Sequence, residues 1–312
     1  MYSRILVPLD GSELSEGVLP YVRLLAKALN CPVELLRSME PLDPNFADSD
    51  HGIYPHRIAE SAKSHLEDYL NQHSSTLRSE GLVVSSTVRE GSPASVIISE
   101  AEKHENGLIA MATHGRSGIT RWLMGSVANK VLQGTSGPLL LVRSGQPREE
   151  DRGSSLKTVI VPLDRSPMSE QALPHAVALA RALRLKVALV WVFPMIEGHY
   201  NDIGYGGTTY GIAEFGEVSR EVEAAAQQYF ARLQEDLQKQ GISDVEVHLL
   251  WGHAASSIVD LARNTSDSLV VLTTHGYSGP SRWAMGSVAD QIVRQAGEPV
   301  LMVRTTGVPR KG

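Results

Sequence analysis

Two short passages carry residue types suited to holding an anion, and each occurs twice. In the first, an aspartate closes an apolar run: Asp10 ends "RILVPLD" and Asp164 ends "TVIVPLD". In the second, a glycine is followed by nine residues and a Gly-Ser pair: Gly115 with Gly125 and Ser126, and Gly276 with Gly286 and Ser287. Residues 113–132 and 274–293, which contain these pairs, agree at twelve of twenty positions. The chemistry that fits is phosphate binding. Glycine lets an anion approach the backbone with no Cβ in the way. Where a Gly-Ser pair opens a helix, unpaired N–H groups and the positive end of the helix dipole favour negative charge. One helix terminus contributes only about 0.3–1 kcal/mol toward a surface charge, so several donors of the loop must converge on a triphosphate.

Such residues need a scaffold that brings strand ends and helix starts together. Apolar runs in the first half predict strands near 4–10, 33–38, 82–89, 107–113 and 138–143. Helical periodicity falls near 12–29, 57–80, 93–105 and 126–134. Runs such as "LLLV" suit strands covered on both faces, the habit of parallel sheets. The alternation predicts an α/β fold with a doubly wound sheet and right-handed crossovers. Both first helices carry a proline about two turns in, Pro20 and Pro174; the helix kinks there or its first turn is separate. In an open α/β sheet, ligands bind beyond the carboxyl ends of the strands where strand order reverses. If strands one and four are neighbours across that point, Asp10 and the 112–126 loop share one crevice. Sequence periodicity does not fix that order.

The repeat spans the chain. Asp10 and Asp164 match at an offset of 154, while "GPLLLVR" and "EPVLMVR" match at 161, so the second copy carries a net insertion of seven residues. The Gly- and Tyr-rich stretch 196–216 is the expected place, as a long loop. The polar stretch 144–157 reads as a linker. The expected units are 1–145 and 158–306, joined by 146–157. A chain of 312 residues is long enough for two such cores. Its formal charge of −6 disfavours a non-specific nucleic-acid or anionic-membrane binder. Cys31 is the sole cysteine and reads as a small buried apolar residue. A strand starting at Arg4 leaves no room for a signal peptide, and no apolar run approaches the roughly 18 residues of a membrane span. The expectation is a cytoplasmic protein.

The strand-end "VPLD" pair and the doubled Gly-x9-Gly-Ser pattern, in this order and over both halves, resemble the universal stress protein family in its tandem form. Its ATP-binding members carry Gly, two residues, Gly, nine residues, then Gly-Ser or Gly-Thr. The first glycine of that pattern falls here on Ala112 and Thr273. Alanine adds one methyl group, whereas threonine is bulkier, which ranks the first site above the second. The resemblance implies two five-stranded parallel sheets of order 3-2-1-4-5 with helices on both faces. It also implies ATP, with or without Mg2+, in each crevice. Asp10 and Asp164 would hold ribose or metal, and Pro8, Leu9, Pro162 and Leu163 would border adenine. Met111, Ala112, His114 and Gly115, with Leu272, Thr273, His275 and Gly276, would wrap ribose and phosphates. Gly125, Ser126 and Val127, with Gly286, Ser287 and Val288, would bind the phosphate tail.

Plainer roles compete with these. Asp10 and Asp164 can cap the following turn, although recurrence in both halves favours ligand contact. Ser126 and Ser287 suit helix N-caps, a role compatible with phosphate binding. His114 and His275 fit loop-fixing hydrogen bonds better than acid–base work. Arg121 and Arg282 suit phosphate or solvent equally, and Trp122 and Trp283 suit packing. A Walker lysine, a dinucleotide fingerprint after a strand, a G-x-S-x-G elbow and a convincing metal-ligand spacing among the histidines are all missing from the sequence. The function expected is an ATP-binding stress-response regulator whose occupancy biases conformation or assembly. The rivals are a scaffold that docks partner proteins without nucleotide, and a slow ATPase. Partners expected are ATP, homo-oligomeric copies and an unidentified protein, with "PLLLVR" and "PVLMVR" pairing inside one chain.

Overall fold

A computed structural model describes residues 2–41, 55–113, 124–143, 155–194, 210–275 and 285–305, with backbone only for 55, 56 and 210–220. The first half runs β1 (Arg4–Pro8), α1 (Glu13–Glu16), α2 (Leu19–Leu29), β2 (Val33–Met39), α3 (Pro55–Ser79) and β3 (Val84–Glu90). It continues with α4 (Pro93–Glu102), β4 (Gly107–Ala112), α5 (Ser126–Gly134) and β5 (Leu139–Val142). The second half opens with β6 (Thr158–Pro162), a 3-10 turn (Ser169–Ala172), α6 (Leu173–Leu183), β7 (Lys186–Phe193) and α7 (Tyr210–Lys239). It closes with β8 (Val245–Trp251), α8 (Ala254–Asn264), β9 (Ser268–Thr273), α9 (Ser287–Gln295) and β10 (Val300–Val303).

Two details depart from the sequence expectations or resolve them. The prolines do not kink a long helix: Pro20 and Pro174 are the second residues of α2 and α6, and the first turn stands apart. Proline lacks an N–H, so the first turn of a helix is where it costs nothing in hydrogen bonds. Residues 210–216, expected in a loop, form the first turns of α7, while 196–209 lie outside the described residues. Gly211 and Gly216 each cost a helix about 1 kcal/mol relative to alanine, which a helix of 30 residues packed on β8 absorbs.

Each half is a parallel five-stranded sheet, and the two join edge to edge in the order β3-β2-β1-β4-β5-β10-β9-β6-β7-β8. Either half therefore reads 3-2-1-4-5. The seam is antiparallel, with Val300, Leu301 and Met302 opposite Leu141, Leu140 and Leu139. The two last strands thus pair within one chain. Helices cover both faces. One apolar core packs the sheet against α2, α3, α6 and α7, and the other packs it against α4, α5, α8 and α9. Both cores contain residues of both halves, so neither stops at the seam. Arg304, just past β10, donates to the Gln133 and Thr135 carbonyls at 2.7 and 2.8 Å, closing the C-terminal end of α5.

A second tie between the halves is titratable. The Tyr2 hydroxyl lies 2.7 Å from Nδ1 of His175 on α6, and burial pushes the imidazole below its ordinary value. A histidine with a depressed folded pKa contributes stability above the unfolded value of about 6.5 and loses it as pH falls. Melting temperature should therefore fall between pH 7 and pH 5 by more in the natural chain than in His175→Gln, whose amide keeps an acceptor without titrating. Equal slopes for the two proteins in thermal melts would refute this.

Candidate functional site

Strand β1 lies between β2 and β4, with Leu6 opposite Ile109, and the chain leaves it in one direction and returns in the other. This is the switch point at which a doubly wound sheet opens a crevice. A cleft of about 540 Å³ lies there, within the size range of small-molecule sites. Pro8, Leu9 and Asp10 line it from the end of β1, and Met111 and Ala112 from the end of β4. Gly125, Ser126 and Val127 line it from the start of α5. All eight described residues expected in the first site are therefore together; His114 and Gly115 lie outside the described residues.

The aspartate sits in a turn of defined chemistry. Asp10 Oδ1 accepts the Ser12 N–H at 3.0 Å and the Ser12 hydroxyl, while Ser15 Oγ–H donates to the Ser12 carbonyl at 2.8 Å. Asp164, Ser166 and Ser169 repeat each of these bonds in the second half. The capping role is thus present in both copies. It uses Oδ1 as the acceptor, and a carboxylate offers about four acceptor positions. Behind the turn, the Tyr69 hydroxyl on α3 donates to Glu16 at 2.8 Å, and Tyr229 on α7 does the same to Glu170. Burial, then the bond to the carboxylate, pushes both phenols up, so both stay donors.

The helix start differs from the expectation in one respect. Gly125 and Gly286, not the serines, occupy the N-cap, and Ser126 and Ser287 are the first helical residues. The Gly125 N–H donates to the Thr113 carbonyl at 2.8 Å, and Gly286 to that of Thr274 at 2.9 Å. These bonds spend the glycine N–H on closing the loop, so the donors left to a ligand are those of Ser126, Val127 and Ala128, which a helix leaves without internal partners. A Cβ on Gly286 would stand 3.2 Å from the Thr274 oxygen, tighter than ordinary contact. Neither N-cap carries a side-chain capping bond.

In the second half, β6 and β9 are neighbours as β1 and β4 are. Pro162, Leu163 and Asp164 end β6, Leu272 and Thr273 end β9, and Ser287 and Val288 begin α9. Gly276 lies outside the described residues. Thr273 is buried, and its hydroxyl donates to the His275 carbonyl at 2.8 Å. His275 Nδ1 is 3.2 Å from the Thr274 hydroxyl, a loop-fixing contact. Sequence reasoning missed the wall supplied by β2. Arg37 lines the first cleft and donates from Nη1 to the Leu9 carbonyl at 2.9 Å. In the second half Trp191 takes its register position. Aligning the halves from "VPLD" onward to their second strands would have exposed the exchange.

The sequence model of the Universal stress protein family matches residues 1–143 and 155–304. A universal stress protein of Mycolicibacterium smegmatis is 24% identical over 307 residues, covering 96% of each chain. Universal stress protein MJ0531 of Methanocaldococcus jannaschii is 29% identical over 150 residues, 48% of this chain and 86% of that one. Among solved structures, a universal stress protein from Archaeoglobus fulgidus superposes with a TM-score of 0.69 at 20% identity, covering 97% of this chain and 99% of that one.

Proposed function

The chain belongs to the universal stress protein family, and from that premise we propose that it is an ATP-binding regulator of a stress response. The observation that carries this reading is the convergence, in one cleft, of a carboxylate, two strand ends and an uncapped helix start. Asp10 would hold ribose hydroxyls or Mg2+, and the first N–H groups of α5 the phosphate tail. Corresponding roles fall to Asp164 and to Ser287 and Val288 of α9. The units 1–145 and 158–306 each contribute one site. The groups around the cleft include the turn-capping Asp10, the Glu40 carboxylate, the Arg37 guanidinium and the first N–H groups of α5, a set that can hold a nucleotide and its counter-ion. Occupancy then acts by shifting a conformation or an assembly, including self-association or docking of a protein partner in the cytoplasm. That requires nucleotide to bind one state more tightly than the other.

Calorimetric titration of nucleotide-stripped protein with Mg·ATP tests the reading, and two ATP per chain is the expected stoichiometry. No heat from folded protein would overturn it. A sharper test is Ser126→Pro. Proline is favoured at the first helical position, and Gly125 has φ −57° and ψ 150°, a conformation that suits the residue before a proline. The helix should persist while one N–H donor disappears. A hydrogen bond to a charged group is worth about 1.5–3 kcal/mol, so ATP should bind the first cleft about 10-fold or more weakly at unchanged melting temperature. Unchanged affinity would remove α5 from the site.

A further inference from the structure

The strand ends that wall the two crevices are filled differently. Arg37 follows Leu36, the partner of Pro8; Trp191 follows Val190, the partner of Pro162, and so stands at the same register position, level with Leu163 and one residue short of Asp164. Farther out, Met39 and its partner Glu90 give way to Phe193 and its partner Trp251. Next to the aspartate, Gly11 gives way to Arg165. These exchanges build a stack. The Arg165 guanidinium lies 5.0 Å from the Trp191 ring centroid. Trp191 and Phe193 stack at 4.8 Å and 27°, and Phe193 and Trp251 at 4.7 Å and 24°. Arg165 reaches its place with φ 63°, a left-handed conformation that Gly11 adopts freely at φ 75° and that disfavours a residue with a Cβ.

We propose that the second crevice holds the flat ring of its ligand, the base of a nucleotide, by stacking it on Trp191 with Arg165 closing over the outer face. The inference rests on the nucleotide reading above. Trp191 stands on a strand and is packed against Phe193 and Phe230, so its ring is fixed. Arg165 stands on a turn, and its long side chain is the member free to swing. A base entering between them keeps a guanidinium on one face and gains an indole on the other. Stacking of this kind tolerates every base, because every base has a π-face. The matching wall of the first cleft carries Arg37, which is buried and donates to the Leu9 carbonyl, so it offers no aromatic face for stacking. The second crevice is therefore the one that accepts all four bases.

The test titrates the full chain with the Mg2+ complexes of ATP, GTP, CTP and UTP, following tryptophan emission and heat together. The second site should fill with all four, at affinities within about tenfold of one another, and quench emission as it does. Trp191→Leu should weaken that site about tenfold or more, abolish its quench and spare the first site. Arg165→Gly gives the turn the residue of its counterpart and leaves the stacked rings in place. It should weaken the same site by a smaller factor, and it keeps the test decisive should Trp191→Leu not fold. A second site that takes ATP alone, or that ignores both substitutions, would overturn the stacking while leaving nucleotide binding intact. A single site per chain, unaffected by Trp191→Leu, would do the same. Absence of heat with every nucleotide would overturn both readings.

Discussion

Leu301→Ala should destabilise the whole molecule by about 2–5 kcal/mol and lower a single melting transition shared by both halves. Leu301 is 1% exposed, sits in the middle of β10 and faces Leu140 across the seam. Truncating it leaves a cavity where the apolar core on the side of α2 and α6 passes from one half to the other. A cavity there is shared, because relaxing into it would part the two sheets. Differential scanning calorimetry distinguishes this from independent halves. Two resolved transitions, of which only the later half's moves, would show that the seam joins the units without coupling them.

Asp10→Asn should weaken Mg·ATP at the first crevice about 10-fold or more while leaving the melting temperature close to that of the natural chain. The carboxylate has two jobs. Its Oδ1 accepts from Ser12, and an asparagine oxygen can accept in the same way, so the turn should survive. The negative charge is lost, and with it the stronger hold on ribose hydroxyls or Mg2+. Asp10→Ala should lose binding equally and, in addition, about 1 kcal/mol of stability, since it removes the turn's acceptor as well. Calorimetric titration beside a thermal melt of each variant separates the jobs. Asp10→Asn binding like the natural chain would reduce the aspartate to a cap.

Much of this architecture is legible in the sequence alone. Period-two and period-3.6 patterns depend only on which neighbours are apolar, so all five strands and the long helices of the first half emerge within a few residues of their observed ends. The exceptions share a cause: a contact with residues distant in sequence. Ser126 looks like an N-cap on residue type, yet the Gly125 N–H is bound to Thr113, twelve positions back, and this shifts the cap by one. Residues 210–216 look like a loop on glycine content, yet they extend a helix that β8 and the core support from outside the segment.

The sequence by itself determined the doubled unit, the strand and helix order, the aspartate and Gly-Ser positions and the family. These follow from local pattern and from comparing one half with the other. Only the tertiary structure decided that Arg37 lines the first cleft, that Trp191 holds its register position in the second half and that Arg165 stacks on Trp191. It also decided that the serine–aspartate turn is complete in both copies and that one sheet passes unbroken through an antiparallel seam. Each of these depends on strand register and side-chain direction. A pairing shifted by one residue would turn every side chain to the opposite face, and composition along the chain carries no measure of that shift.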